Sequence, residues 1–141
     1  CGPKKIIDAM TKIHQYTMLC APIMGQIGAI EALKGGNRYV QEMKREYKRR
    51  REFIVERLNE IGLLCPKPEG AFYVFPSIKN TGMDCLNFAK QLLKKEKVAV
   101  VPGTAFGPEG KGHIRISYAS KMSDLKEACS RIEKFVKKNA Q

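Results

Sequence analysis

Between Val40 and Ile61 apolar residues return at steps of three, four and seven, through Met43, Tyr47, Ile54 and Leu58, over about six helical turns. The pattern ends at Gly62, and so long a stripe needs a surface to pack against. The next residues cannot prolong the helix: "LLCPKPEG" holds two prolines and a glycine, and "AFYVFP" at 71–76 is a short aromatic and β-branched run halted by Pro76. The latter is expected to be a buried strand. A chain that passes from a long helix into short strand-like runs is expected to be α+β.

The rest of the chain fits that class. Pro3 suits a helix start, and Ile6, Met10 and Ile13 then share one face as far as about Tyr16. Pro22 opens a second helix with Ile23, Ile27, Ile30 and Leu33 as its stripe, ending at Gly35-Gly36. Gly25 and Gly28 inside it each cost about 1 kcal/mol relative to alanine, for which close packing against a neighbour is one compensation. Asp84 is placed to cap a helix carrying Leu86, Ala89, Leu92 and Leu93, "VAVV" at 98–101 reads as the second strand and "HIRISYA" at 113–119 as the third. Ser123 is the expected N-cap of a last helix whose stripe is Leu125, Ala128, Cys129, Ile132 and Val136. With no repeat or linker between these pieces, they are expected to share one core, the helices on one face of a small sheet.

Charge and cysteine usage narrow the function classes. The net charge of +12 keeps anionic partners in view. Yet the densest basic run, "KREYKRRRE" at 44–52, is interleaved with Glu46, Glu52 and apolar residues, as a solvated helix face would be, and no RNP-type strand, GXXG clamp or helix-turn-helix is recognisable. Nucleic acid is therefore disfavoured as a partner. The five cysteines form no C-x-x-C pair, and His14 and His113 have no second ligand at metal spacing, so no metal site is expected. No apolar run nears the roughly 18 residues of a membrane helix, and no signal segment opens the chain, which predicts a cytoplasmic protein without a membrane partner. The first residues, "CGPKK", run straight into a helical pattern without a methionine, as in a piece of a longer protein.

Chemistry concentrates in "VAVVPGTAFGPEGKGHIRISYA" at 98–119. Strand alternation sends Ile114, Ile116 and Tyr118 to one face and Arg115, Ser117 and Ala119 to the other. The first set belongs in the core, which leaves a permanent cation on the opposite face beside small neighbours. Gly103, Gly107, Gly110 and Gly112 in the preceding loop would let backbone approach a ligand closely. Arginine's planar fork matches a carboxylate through two parallel hydrogen bonds, so an anion-binding face is plausible on physical grounds.

Taken together, "EGAFYVFP", the 98–119 stretch and the opening "GPKKIIDAMTKIHQYTMLCAPIMGQIGAIEAL" resemble the C-terminal part of fold-type I, pyridoxal-phosphate-dependent aminotransferases of the class I/II, aspartate-aminotransferase-like group. The resemblance covers essentially the whole chain. It implies that residues 1–21 are the end of a large domain and interdomain segment, and that 22–141 are a small C-terminal domain with a short, mainly antiparallel sheet. It also implies that Arg115 binds the α-carboxylate of an amino-acid substrate, with Phe106 near the mouth of the site. Amino acids and 2-oxo acids are the implied substrates, pyridoxal 5'-phosphate the cofactor, and a homodimer the implied assembly.

The Schiff-base lysine, the aspartate on the pyridinium nitrogen and the phosphate-binding groups of such enzymes lie upstream of the segment this chain resembles. Nothing like their "S-x-S-K" or "G-W-R-x-G-Y" motifs occurs here, and Lys111 sits in a loop that matches a variable, solvent-facing stretch. The chain alone is therefore expected neither to hold the cofactor covalently nor to transaminate; no catalytic residue is assigned within it, and its cofactor-binding residues are left open. A fold-type I enzyme of other chemistry, a lyase or a synthase, and a basic nucleic-acid-binding module are the alternatives.

Overall fold

A computed structural model describes residues 1–139, and the chain divides into two compact units, Cys1–Glu42 and Met43–Gln141. In the first, α1 (Lys4–Thr17) and α2 (Ile23–Gly35) each begin one residue after a proline, so Pro3 and Pro22 stand just outside the helices rather than in their first turns. Neither helix has a buried residue. Both apolar stripes form as the spacing predicts, but Ile6, Met10, Ile13, Ile23, Ile27, Ile30 and Leu33 all stay exposed. A methyl group added at Gly25 or Gly28 would meet open space, so the close packing expected there is absent. The expectation of one shared core is corrected accordingly: that core lies in residues 43–141.

The third helix, α3 (Asn37–Glu60), buries Ile54 and Leu58, while Val40 and Met43 remain exposed. Gly62, at φ +90°, closes it. The Gly62 N–H donates to the Asn59 carbonyl and the Leu63 N–H to the Leu58 carbonyl, both at 2.9 Å, which satisfies carbonyls the helix end leaves free. Leu58 and Leu63 are both fully buried, so the chain turns directly into the core. The basic face of α3 is only partly solvated: Arg50 donates to the Ala119 carbonyl, Arg51 to the Pro68 carbonyl and Arg57 to Glu133, tying the helix to the sheet end, a loop and the last helix. These arginines depart from a plain solvated stripe because they reach acceptors far away in the sequence.

Three short strands, β1 (Tyr73–Val74), β2 (Val101–Pro102) and β3 (Ile114–Ser117), form an antiparallel sheet in the order β1-β3-β2. The expected strands are longer than the observed ones. For 71–76 the pairing persists as single hydrogen bonds, Tyr118 N–H to Phe72 and Ile114 N–H to Pro76, and an isolated bridge joins Ser77 to His113. Nor is that run buried on both faces: Val74 is buried, whereas Phe72 and Phe75 are exposed.

Between β1 and β2 lies α4 (Cys85–Glu96), and α5 (Met122–Asn139) comes after β3. Asp84 caps α4 as expected, accepting from the Leu86 and Asn87 backbone at 3.0 and 2.9 Å. The buried stripe of α4 is Cys85, Phe88, Ala89 and Leu92; Leu86 and Leu93, expected inside, face solvent because the stripe is rotated toward Phe88. Ser123 does not cap α5. It stands within the first turn and its hydroxyl donates to Asp124 at 3.1 Å. Phe88 packs edge-on against Phe135 of α5, with ring centres 5.2 Å apart, in the core that α3, α4 and α5 share with one face of the sheet.

Candidate functional site

The site grows from the alternation of β3. Ile114, Ile116 and Tyr118 are buried, which fixes Arg115 and Ser117 on the opposite face, as the sequence predicts. As the middle strand, β3 is held on both sides: Tyr73 pairs with Ser117 and Val101 with Arg115. The Tyr118 hydroxyl donates to the Ala71 carbonyl at 2.9 Å, anchoring the far end of the strand from beneath. Ala71 itself sits at φ +60°, a left-handed conformation uncommon for a side chain with a Cβ.

Arg115 is half-buried, and its guanidinium lies over two aromatic rings. Its central carbon is 4.3 Å from the ring centre of Tyr73 and 4.6 Å from that of Phe106. Phe106 is 51% exposed and so is not an ordinary core residue. Phe106 in turn meets Phe75 edge-on at 6.1 Å, and Phe75 stacks almost parallel on His113 at 5.4 Å. On the other side Tyr73 touches Phe72 at 4.5 Å. None of the ion pairs among the described residues involves Arg115. Ring faces attract the cation without accepting conventional hydrogen bonds, which leaves the guanidinium N–H groups for a planar anion.

Two glycines of the 102–112 loop, Gly103 and Gly110, meet each other through their backbones. A Cβ on Gly103 would stand 2.1 Å from the Gly110 carbonyl oxygen, and one on Gly110 would stand 2.0 Å from that of Gly103. Backbone approaches backbone here, and the contact closes the neck of the turn that carries Phe106. At the base of this turn the Thr104 hydroxyl lies 3.5 Å from the Cys85 thiol, and this hydrogen bond holds the thiol below the ordinary cysteine range. Cys65, whose thiol donates to the Pro66 carbonyl, and Cys129 are pushed up to about 11 by burial.

Sequence reasoning singles out Arg115 and notes Phe106; it misses Tyr73, Phe75 and His113. The signal available is the alternation within "FYVF", which puts Tyr73 and Phe75 on the face opposite Val74. Every described lysine, Lys111 included, is exposed. No group of three or more His, Cys, Asp or Glu among the described residues is arranged to hold a metal ion. No described helix is long and apolar enough to cross a membrane.

The aminotransferase class I and II family model matches residues 1–132. An aspartate aminotransferase of Pyrococcus abyssi is 45% identical over 96% of this chain and 36% of its own length. Aromatic-amino-acid aminotransferase 2 of Thermococcus litoralis is 44% identical with the same two coverages. Among solved structures, the aromatic aminotransferase of Pyrococcus horikoshii superposes with a TM-score of 0.90 at 44% identity, over 98% of this chain and 37% of that one. The chain thus spans little more than a third of the length of these relatives, at 36%. The antiparallel sheet with its helices matches the corresponding part of those folds, and the family is one of pyridoxal-phosphate-dependent enzymes. On the match across residues 1–132, this chain belongs to the aminotransferase class I and II family, of fold-type I.

Proposed function

We propose that this chain is the C-terminal part of a transaminase that moves an amino group between an amino acid and a 2-oxo acid, and that Arg115 binds the substrate's α-carboxylate. One observation carries the reading: a guanidinium rises from the central strand on the face away from the core, supported by Tyr73 and Phe106 and with no carboxylate paired to it among the described residues. A bidentate pair at that position fixes the acid end of the substrate and leaves its amino end directed away from the sheet. The rigidity of β3, paired on both sides, supplies position as well as charge.

The described residues do not fit the cofactor's attachment. A lysine that forms a Schiff base works best when desolvated, and all the described lysines face solvent. The exchange chemistry is therefore assigned to residues outside this chain, and this fragment alone is expected to be inactive. In the same reading residues 1–21 belong to a preceding large domain and interdomain segment, 22–141 to the small domain, and the whole protein acts as a cytoplasmic homodimer.

The test is made in the whole protein with Arg115→Leu. Removing one partner of a desolvated charge pair costs about 2–5 kcal/mol, so kcat/KM for the best amino donor should fall roughly 30- to 4,000-fold. Unchanged kcat and KM would remove Arg115 from the site. If the wild-type protein turns amino acids over without yielding the matching 2-oxo acid, transamination is replaced by another chemistry of the same fold.

A further inference from the structure

The aromatic contacts of Arg115 form a continuous row. From one end it runs His113, Phe75, Phe106, then the Arg115 guanidinium, then Tyr73 and Phe72, with successive separations of 5.4, 6.1, 4.6, 4.3 and 4.5 Å. The row crosses three separate pieces of chain, β1, the 103–106 turn and β3. Phe72, Phe75 and Phe106 are 40%, 37% and 51% exposed. Rings that exposed add little to core stability, and the seat of Phe106 against the cation, with Phe75 beside it, calls for another purpose.

We propose that Phe106 and Tyr73 are positioning residues: they hold the plane of the Arg115 guanidinium so that its N–H edge is presented to a carboxylate before the ligand arrives. This inference rests on the reading of Arg115 as the carboxylate site. An arginine side chain carries many rotamers, and a free one must give up that freedom on pairing. Stacking on aromatic faces removes part of it in advance and leaves the in-plane donors unspent, since ring faces attract the cation without hydrogen bonding to it. Phe75 braces Phe106 from the side, and His113 backs Phe75. The Gly103–Gly110 contact fixes the neck of the turn from which Phe106 projects.

The experiment uses the whole protein with isotopically labelled arginine, and 3-phenylpropionate as the carboxylate probe with its carboxamide as control. The Arg115 Nε–H resonance, assigned by its loss in Arg115→Lys, should lie upfield of the other arginines through ring currents. Phe106→Leu should move it toward them and weaken 3-phenylpropionate binding about tenfold, whereas Phe106→Tyr should restore both. Tyr73→Leu should act in the same direction, and Phe106, being exposed, can be changed without loss of fold. The carboxamide should bind weakly and equally to wild type and Phe106→Leu. If Arg115→Leu abolishes carboxylate binding while Phe106→Leu leaves the resonance and affinity unchanged, or Phe106→Tyr fails to restore them, the positioning role is overturned and the carboxylate site stands. If Arg115→Leu leaves the affinity unchanged, the carboxylate reading itself fails.

Discussion

In residues 43–141 the stripes of α3, α4 and α5 close on Ile54, Phe88 and Ile132, each at most 1% exposed; in residues 1–42, Ile6, Met10, Ile13, Ile27 and Ile30 keep the same helical spacing and remain at least 50% exposed. The difference does not lie in the pattern. Periodicity states that a helix has a face to be covered, and says nothing of what covers it. In the second unit three helices and a sheet supply the cover for one another, and in the first none of the described residues of α1 or α2 is buried.

The sharpest way to break this contrast is truncation on both sides of it. Phe88→Ala, at a fully buried ring packed on Phe135, should lower unfolding stability by about 3–5 kcal/mol. Ile27→Ala, at a side chain 54% exposed, should stay within about 0.5 kcal/mol. Urea denaturation measures both, and comparable losses would erase the distinction between the units.

Thiol labelling probes the same boundary by rate. Cys1 and Cys20 are exposed, while Cys65 and Cys129 are buried, their thiols pushed up to about 11 from an ordinary 9.0. At pH 8 that rise alone lowers the thiolate fraction about 100-fold. Mass spectrometry after brief alkylation should find Cys1 and Cys20 modified and the buried pair intact. Early modification of Cys129 would mean that the α3–α5 core opens readily.

A smaller effect concerns the anchor under β3. Tyr118→Phe removes the hydroxyl that donates to Ala71 and should cost about 1 kcal/mol, read as a lower urea midpoint at an unchanged slope. No loss would mean that water serves the Ala71 carbonyl equally well.

The least change is expected on α3 just past the boundary. Hydrogen bonds from Arg49 and then Arg50 hold Glu46 at about 2, below its ordinary 4.5. With the folded value depressed, this contribution is present above pH 4.5 and is lost as pH falls toward 2. Glu46 and Arg49 are open to solvent and only Arg50 is partly buried, so the effect should be slight and weaken with salt. Glu46→Gln should flatten the acid limb of melting temperature against pH, and an identical limb would show that Glu46 contributes nothing.

These contrasts also mark how far the sequence can be read. The helices, the Asp84 cap, the Gly62 stop and the outward face of Arg115 are set by neighbours a few residues apart, and spacing reveals them. Leu86 and Leu93 face solvent against their spacing because a stripe's rotation is decided by Phe88 meeting Phe135, a contact between two helices. Tyr73 is invisible beside Arg115 for a similar reason. Its place depends on the pairing of Tyr73 with Ser117, and register between distant strands leaves no local mark. The glycine loop is legible, but whether its freedom serves a ligand or its own backbone depends on Gly103 meeting Gly110.

That meeting has an outcome for how such a surface can vary. Because the turn is cinched at its root, residues 104–109 form a small closed appendage whose length and tip can change without disturbing the strands it joins. Selection could therefore swap the ring above the cation, or remove it, in one short segment while the grip of β3 on its neighbours stays as it is.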